Sequence, residues 1–315
     1  MDKGIARDVA PAPGSGSPGT TIGEALSRRQ TRVITPTQQA LRRFRRHRLA
    51  VAGVIIVAIF IGLSVAAPLV ARRGPNDIDL RARNQGPTAQ HWFGTDRTGR
   101  DTFARTLYAG RISLSIGLVA ATISIVVGAV LGSVAGFFGK RVDGLIMRFT
   151  DIVMTFPSII IILTVVALTG PGIYKTMLVI GLLNWPVPCR LVRAKFLSLR
   201  EQEFILAARA MGASTERIIR VHAFPNTIDV LVVYASFGIV NAILLEAGLS
   251  FLGLGVQLPT ASWGNMINVA RNLQVLEQYP WQWVPAGVAI VLTVLATNFI
   301  GDGLRDALDP RMTIQ

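Results

Sequence analysis

The sequence predicts an all-α integral membrane protein with six transmembrane helices, and two observations carry that reading. Hydrophobic residues make up 51% of the chain, while Asp, Glu, Lys and Arg together reach only 16%, against about 25% in soluble domains. The charges also sit in blocks, separated by long apolar runs that carry none, which is the layout of a chain crossing a bilayer repeatedly.

A net charge of +14 raises the question of a nucleic-acid partner. Such a partner needs basic residues gathered on one soluble face. Here they flank apolar runs instead, as Arg42, Arg43, Arg45, Arg46 and Arg48 do just before Leu49. Membrane topology accounts for the same charges, so no nucleic acid is expected. Cys189 is the single cysteine, which excludes an intrachain disulfide. His47, His91 and His222 lie far apart with no metal-ligand spacing, so no metal site is expected.

Taken in order, residues 1–48 read as a basic tail. Its stretch from Pro11 to Gly19 is all Pro, Gly, Ser and Ala, which cannot bury enough apolar surface to offset ordering, so disorder is expected. The first apolar run begins only at Leu49, too late for a signal peptide. The first span, residues 49–70, is 22 residues long, about 33 Å as a helix and enough for a core of about 30 Å. Residues 71–111 form a loop.

The remainder, residues 112–304, holds five further spans. The second, Ile112 to Phe138, has no charged residue, and Gly128, Gly132 and Gly136 follow one another at the GxxxG spacing. Small residues so placed let helix backbones approach closely. The third runs from Ile152 to Leu168. The fourth, Met177 to Cys189, is short and interrupted by Pro186 and Pro188; proline removes a donor and kinks a helix. The fifth covers Val230 to Leu252 and the sixth Val284 to Ile300, leaving residues 305–315 as a tail.

Six spans put both termini on one side. With the termini in the cytoplasm, 22 of the 32 Lys and Arg residues lie inside, as the positive-inside rule asks. Residues 71–111 then face outward and residues 195–227 inward, in a multi-pass protein of the plasma (inner) membrane. Trp92, Trp263, Trp281 and Trp283 fall near outer span ends and read as interfacial anchors.

The sequence has no GxxxxGK[ST] loop, no HExxH and no GxSxG, so no catalytic site is expected and any ATP must be bound by another chain. Glu246 is the one ionisable residue clearly inside a span. It reads either as a residue of a transport pathway or as a group packed against a polar neighbour from another helix. An ion-coupled carrier usually needs more intramembrane charge than this.

The most informative inward segment is EQEFILAARAMGASTERIIRVHAFPN, residues 201–226. Good helix formers run from Glu203 to Met211. Gly212 ends that helix, Ser214 or Thr215 can cap a second one, and Pro225 is expected to stop it. Phe204, Ile205, Ala208 and Met211 are expected to form one apolar stripe, free to lie on the bilayer or to dock in a partner's groove.

This segment resembles the coupling loop of ATP-binding-cassette importer permeases: Glu-Ala-Ala, three residues, Gly, nine residues, Ile, one residue, Leu-Pro. Ala207, Ala208, Gly212 and Pro225 match, while Leu206, His222 and Phe224 stand where the pattern has Glu, Ile and Leu. Three more stretches are similar to the C-type permeases of the dipeptide, oligopeptide and nickel importer family: HWFGTDRTGRDTFARTLYAGRISLSIG (91–117), EAGLSFLGLGVQLPTASWGNM (246–266) and NFIGDGLRDALDPR (298–311).

The resemblance implies a type I importer permease fold and a set of partners. These are a homologous second permease, two ATPase subunits that bind ATP and Mg, and an extracytoplasmic solute-binding protein. No cofactor is expected in this chain itself. It further implies that Ala207, Ala208 and Gly212 give a low surface for the ATPase groove and that Pro225 fixes the exit into the fifth span. Glu203, Arg209, Arg217 and Arg220 belong to the same surface, the arginines as candidate polar contacts. The implied cargo is a short peptide; nickel, glutathione or another small solute is the rival, and a non-transporting membrane scaffold a more distant one.

Overall fold

A computed structural model describes residues 36–308, which contain no β-strand. The chain divides into residues 1–39 and residues 40–315, and of the first only the opening of a helix, Pro36–Arg46 (α1), is described. Most of the expected tail at 1–48, and residues 309–315, lie outside the described residues.

His47 starts α2 (Arg48–Val65), its ring Nδ1 accepting from the Ala50 N–H at 3.1 Å. The expected first span does not run straight to residue 70. It turns at Ala66 into the short α3 (Ala67–Val70), whose first turn contains Pro68, a residue with no N–H to continue the ladder.

Helix α4 (Thr102–Phe138) begins ten residues earlier than the expected span at Ile112, within what reads as loop. The cause is Asp101, whose carboxylate accepts the Ala104 N–H at 2.8 Å and satisfies one of the orphan donors of the first turn. The third span is also altered. It is a bent pair, α5 (Lys140–Thr155) and α6 (Ser158–Thr169), meeting at 78°. Pro157 lies at the bend, and Phe156 before it is extended, at φ −92° and ψ 134°.

The fourth expected span, Met177–Cys189, is split between α7 (Ile173–Leu183) and α8 (Pro186–Leu199) at Asn184 and Trp185. Among the described residues four helical runs are long and apolar enough to cross a membrane, or five if the bent pair counts as one. The split segment is not among them, because prolines interrupt it and α8 goes on to carry Arg190, Arg193 and Lys195. By length and composition alone, the described helices thus account for four or five of the six expected spans. Helices α9 (Glu203–Ala210) and α10 (Thr215–Arg217) lead into α11 (Ile228–Phe251), then α12 (Trp263–Asn268), α13 (Leu273–Gln278) and α14 (Val284–Leu308).

Helix α4 is central: it packs along α8, α7, α11 and α2, and α14 covers α2 and α11. The glycine spacing explains the tightest of these contacts. A Cβ on Gly128 would meet the Trp185 carbonyl oxygen, one on Gly132 that of Cys189, and one on Gly136 that of Arg193. All three faces receive α8, so the close approach expected from GxxxG is present. Gly132→Ala is expected to lower the melting temperature of the detergent-solubilised protein, overpacking of this kind costing about 1–3 kcal/mol. Gly144→Ala, with nothing within 4 Å of the new Cβ, should leave it unchanged or raised.

Charges fix the other side of α8. Arg193 pairs with Asp143, Arg190 Nη2 reaches Asp151 at 2.6 Å, and Lys195 Nζ reaches Asp229 at 2.9 Å. One helix is thereby tied to α5 twice and to α11 once.

Residues 71–101 form an ordered loop built around carboxylates. Asp96 accepts from the Thr98 hydroxyl at 2.6 Å, the Arg100 N–H at 3.0 Å and Arg100 Nε at 2.7 Å. Partial burial pushes the Asp96 carboxyl up, but the Thr98 hydroxyl and the Arg100 N–H and guanidinium outweigh it and hold it below its ordinary value. A carboxylate held low stabilises the fold above its ordinary value and loses that contribution as the pH falls through the lowered one. Asp96→Asn is therefore expected to speed hydrogen exchange in residues 95–101 at pH 7. Its difference from wild type at equal pH should close only below about pH 3.8.

The expected tryptophan belt is only partly interfacial. Trp92 is exposed, but Trp263 is buried in a core with Ala109, Ile243 and Ile290, its Nε1 donating to the Thr106 carbonyl at 3.1 Å.

Candidate coupling segment and buried carboxylate

Helix α9 is attached to the body by Ile205 and Ala208, which pack with Val192, Phe196, Leu199, Ile218 and Leu231. The expected single stripe is therefore divided. Ile205 and Ala208 point inward, while Phe204, Leu206 and Met211 are exposed, Met211 at 82%. Ala207 is exposed, so it can offer a low surface to a partner; Ala208, at 4%, lies beneath that surface and cannot.

The turn after α9 is closed by backbone alone. The Ala213 N–H donates to the Ala208 carbonyl at 3.1 Å and the Gly212 N–H to that of Arg209 at 3.0 Å. Together they satisfy two end carbonyls in a Schellman arrangement. Gly212 sits at φ +79°, a conformation that needs no Cβ, and the space around it is open. Ser214 then caps α10, its hydroxyl accepting from the Arg217 N–H at 3.3 Å.

Pro225 does not stop the second helix. The run continues from Thr215 to Phe251, widening to a π-helix at 218–223 and tightening to a 3-10 turn at 224–227. The change of pitch lets the ring pass where an α-helix would clash. Side chains help satisfy the local carbonyls: Asn226 Nδ2 donates to that of His222 at 2.6 Å and the Thr227 hydroxyl to that of Phe224 at 2.7 Å.

Around this surface Glu203 lies exposed in the first turn of α9, where negative charge suits the helix dipole. Arg209 stands 5.9 Å from the centre of the Phe137 ring. Arg220 is held by Glu216 at 2.7 Å, whereas Arg217 makes no ion pair among the described residues.

Glu246 lies elsewhere, toward the far end of α11, and is fully buried. It takes three serine hydroxyls: Ser250 at 2.6 Å, Ser262 at 2.8 Å and Ser113 at 3.4 Å. Each serine in turn accepts a backbone N–H, from Val256 at 3.2 Å, Asn265 at 3.2 Å and Trp263 at 3.1 Å respectively. The carboxylate thus anchors residues 256–265 to α4 and α11 through three relays. Its side chain is enclosed by residues of this chain. The sequence indicates the Glu but not its serines, one of which lies 133 positions away.

Long apolar helices packed through glycine define a membrane-embedded protein, and its helix–turn–helix exposes part of its apolar surface. Residues 128–314 match the family of binding-protein-dependent transport system inner membrane components. Residues 35–87 match the N-terminal transmembrane domain of oligopeptide transport permease C. A Brucella suis protein named as a peptide permease is 50% identical over 276 residues, 88% of this chain and 91% of its own. The dipeptide transport system permease protein of Alkalihalophilus pseudofirmus is 43% identical over 283 residues, covering 90% and 92%. The oligopeptide transport system permease protein of Bacillus subtilis is 38% identical over 276 residues, covering 87% and 90%. The chain belongs to the binding-protein-dependent inner membrane components, with the fold of a type I ATP-binding-cassette importer permease.

Proposed function

We propose that this chain is one of two membrane-spanning permease subunits of an ATP-driven importer of short peptides. Both termini lie in the cytoplasm. A homologous permease completes the pathway, two ATPase subunits bind ATP and Mg, and an extracytoplasmic solute-binding protein delivers the cargo. No catalytic group or cofactor is assigned to this chain.

The observation that carries the coupling role is the exposed surface of α9. Phe204, Ala207 and Met211 present apolar area to one side while Ile205 and Ala208 lock the same helix to the body. A push on that surface moves the helix and what it is packed against together, which is how rigid elements transmit a change of state. The peptide cargo is supported by the names of the relatives.

The test is uptake of labelled dialanine into proteoliposomes holding the complete transporter, with the binding protein outside. Uptake that requires internal ATP and ignores Ni²⁺ supports the reading. Uptake of Ni²⁺ in preference to dialanine, or independence from ATP, overturns it.

A further inference from the structure

Far from α9 the chain forms a half-open cavity of about 650 Å³, within the roughly 300–1,000 Å³ of small-molecule sites. The separation follows from α11, which leaves the coupling segment and rises 24 residues, about 36 Å, before Ser250 and Gly253 reach the cavity wall.

The wall is electrostatically one-sided. Arg97, Arg100, Arg105 and Arg271 line it, with Asp96 as the single acid, and Asp96 is already engaged by Arg100 at 2.7 Å. Arg97 and Arg271 are exposed and make no ion pair among the described residues. Arg105 is only 4% exposed. Its Nη1 donates to the Pro75 carbonyl at 3.1 Å, and no carboxylate of the described residues lies within ion-pair distance. A buried guanidinium without an anion is costly, so an arriving carboxylate gains more here than in water.

Two further buried groups on this wall lack partners. One is the Thr102 hydroxyl and the other the Gln282 side-chain carbonyl oxygen. The amide nitrogen of Gln282 is used, on Asn84 at 2.9 Å and the Thr95 carbonyl at 3.2 Å. Guanidinium and hydroxyl call for an acceptor, and the Gln282 oxygen calls for an N–H. The end of a peptide carries both, a carboxylate with an amide N–H one residue back.

We propose that this cavity binds the carboxylate end of a short peptide, with Arg97 and Arg271 drawing it in and Arg105 and Thr102 receiving it. The proposal rests on the peptide-importer reading and adds a site to it. A carboxylate could also be presented by an acidic side chain of the delivering protein. The need for an adjacent N–H, set by the unpartnered Gln282 oxygen, favours the free peptide.

The test uses the complete transporter in nanodiscs, without the binding protein, and equilibrium binding of trialanine and of trialanine C-terminal amide. Trialanine should bind at least about tenfold more tightly than the amide, the range of a hydrogen bond to a charged group. Arg97→Gln combined with Arg271→Gln should remove most of that difference and leave the amide unaffected. These two exposed positions keep the test independent of folding, and Arg105→Lys adds the buried position while keeping its charge. Equal binding of acid and amide, or wild-type preference in the double variant, overturns the proposal. Weakened docking of the binding protein with unchanged trialanine binding assigns the carboxylate to that protein and overturns it too. Trialanine uptake in proteoliposomes runs alongside: its absence in wild type fails the importer reading and this site with it, whereas normal uptake with equal acid and amide binding fails this site alone.

Discussion

Gly212→Trp is expected to abolish peptide uptake while the protein still inserts, folds and assembles with its second permease. None of the described residues lies within 4 Å of a Cβ at this position, so a side chain can leave the backbone here without a clash at its root. The local cost is confined to forcing a side chain to φ +79°, about 1–2 kcal/mol and small against the whole fold. What changes is the surface, because Gly212 is itself exposed, as Met211 and Ala207 are, on the segment where the ATPase is proposed to sit. Gly212→Ala carries the same backbone strain with little bulk and should retain most uptake. The measurements are ATP-driven dialanine uptake and recovery of the ATPase subunits on purification. Uptake by the Trp variant equal to wild type would remove the coupling role from this turn.

Glu246→Leu is expected to have the largest effect on stability. Leucine fills the space but orphans three buried hydroxyls, each costing about 1–3 kcal/mol and not strictly additive. Those hydroxyls hold the N–H groups of Val256, Trp263 and Asn265, so the loss spreads along residues 256–265. Glu246→Gln keeps a carbonyl oxygen where Ser250 and Ser262 both donate and should lose much less. Thermal unfolding in detergent reads the difference. Equal melting temperatures for the Leu and Gln variants would mean that the three relays carry no weight.

Much of this was legible in the residues. Glycines four apart on an uncharged helix announce a close neighbour, and α8 is there. Ala207, Ala208 and Gly212 announce a helix and its end, and the end is closed at Gly212 as the pattern requires. Other features needed three dimensions. The period of a helix says which residues share a face but not how many partners that face meets, so Ile205 and Met211 read alike and part company in the fold. A tryptophan near a span end suits the interface or a core equally well, and Trp263 is claimed by the core because Thr106 offers its indole an acceptor. Pro225 forbids an α-helix only, and a widened pitch was available.

The unbroken run from Thr215 to Phe251 is 37 residues, a lever of about 55 Å with the coupling turn on one arm and Ser250 on the other. A tilt of roughly 5° about its middle swings each tip by about 2 Å, given that length. Hydrogen bonds fail over less than that. Ser250 travels with Glu246 on this run, so under the proposed coupling the strain of such a stroke would fall on the bonds from Ser113 and Ser262, which act as a latch between the lever and the rest of the chain.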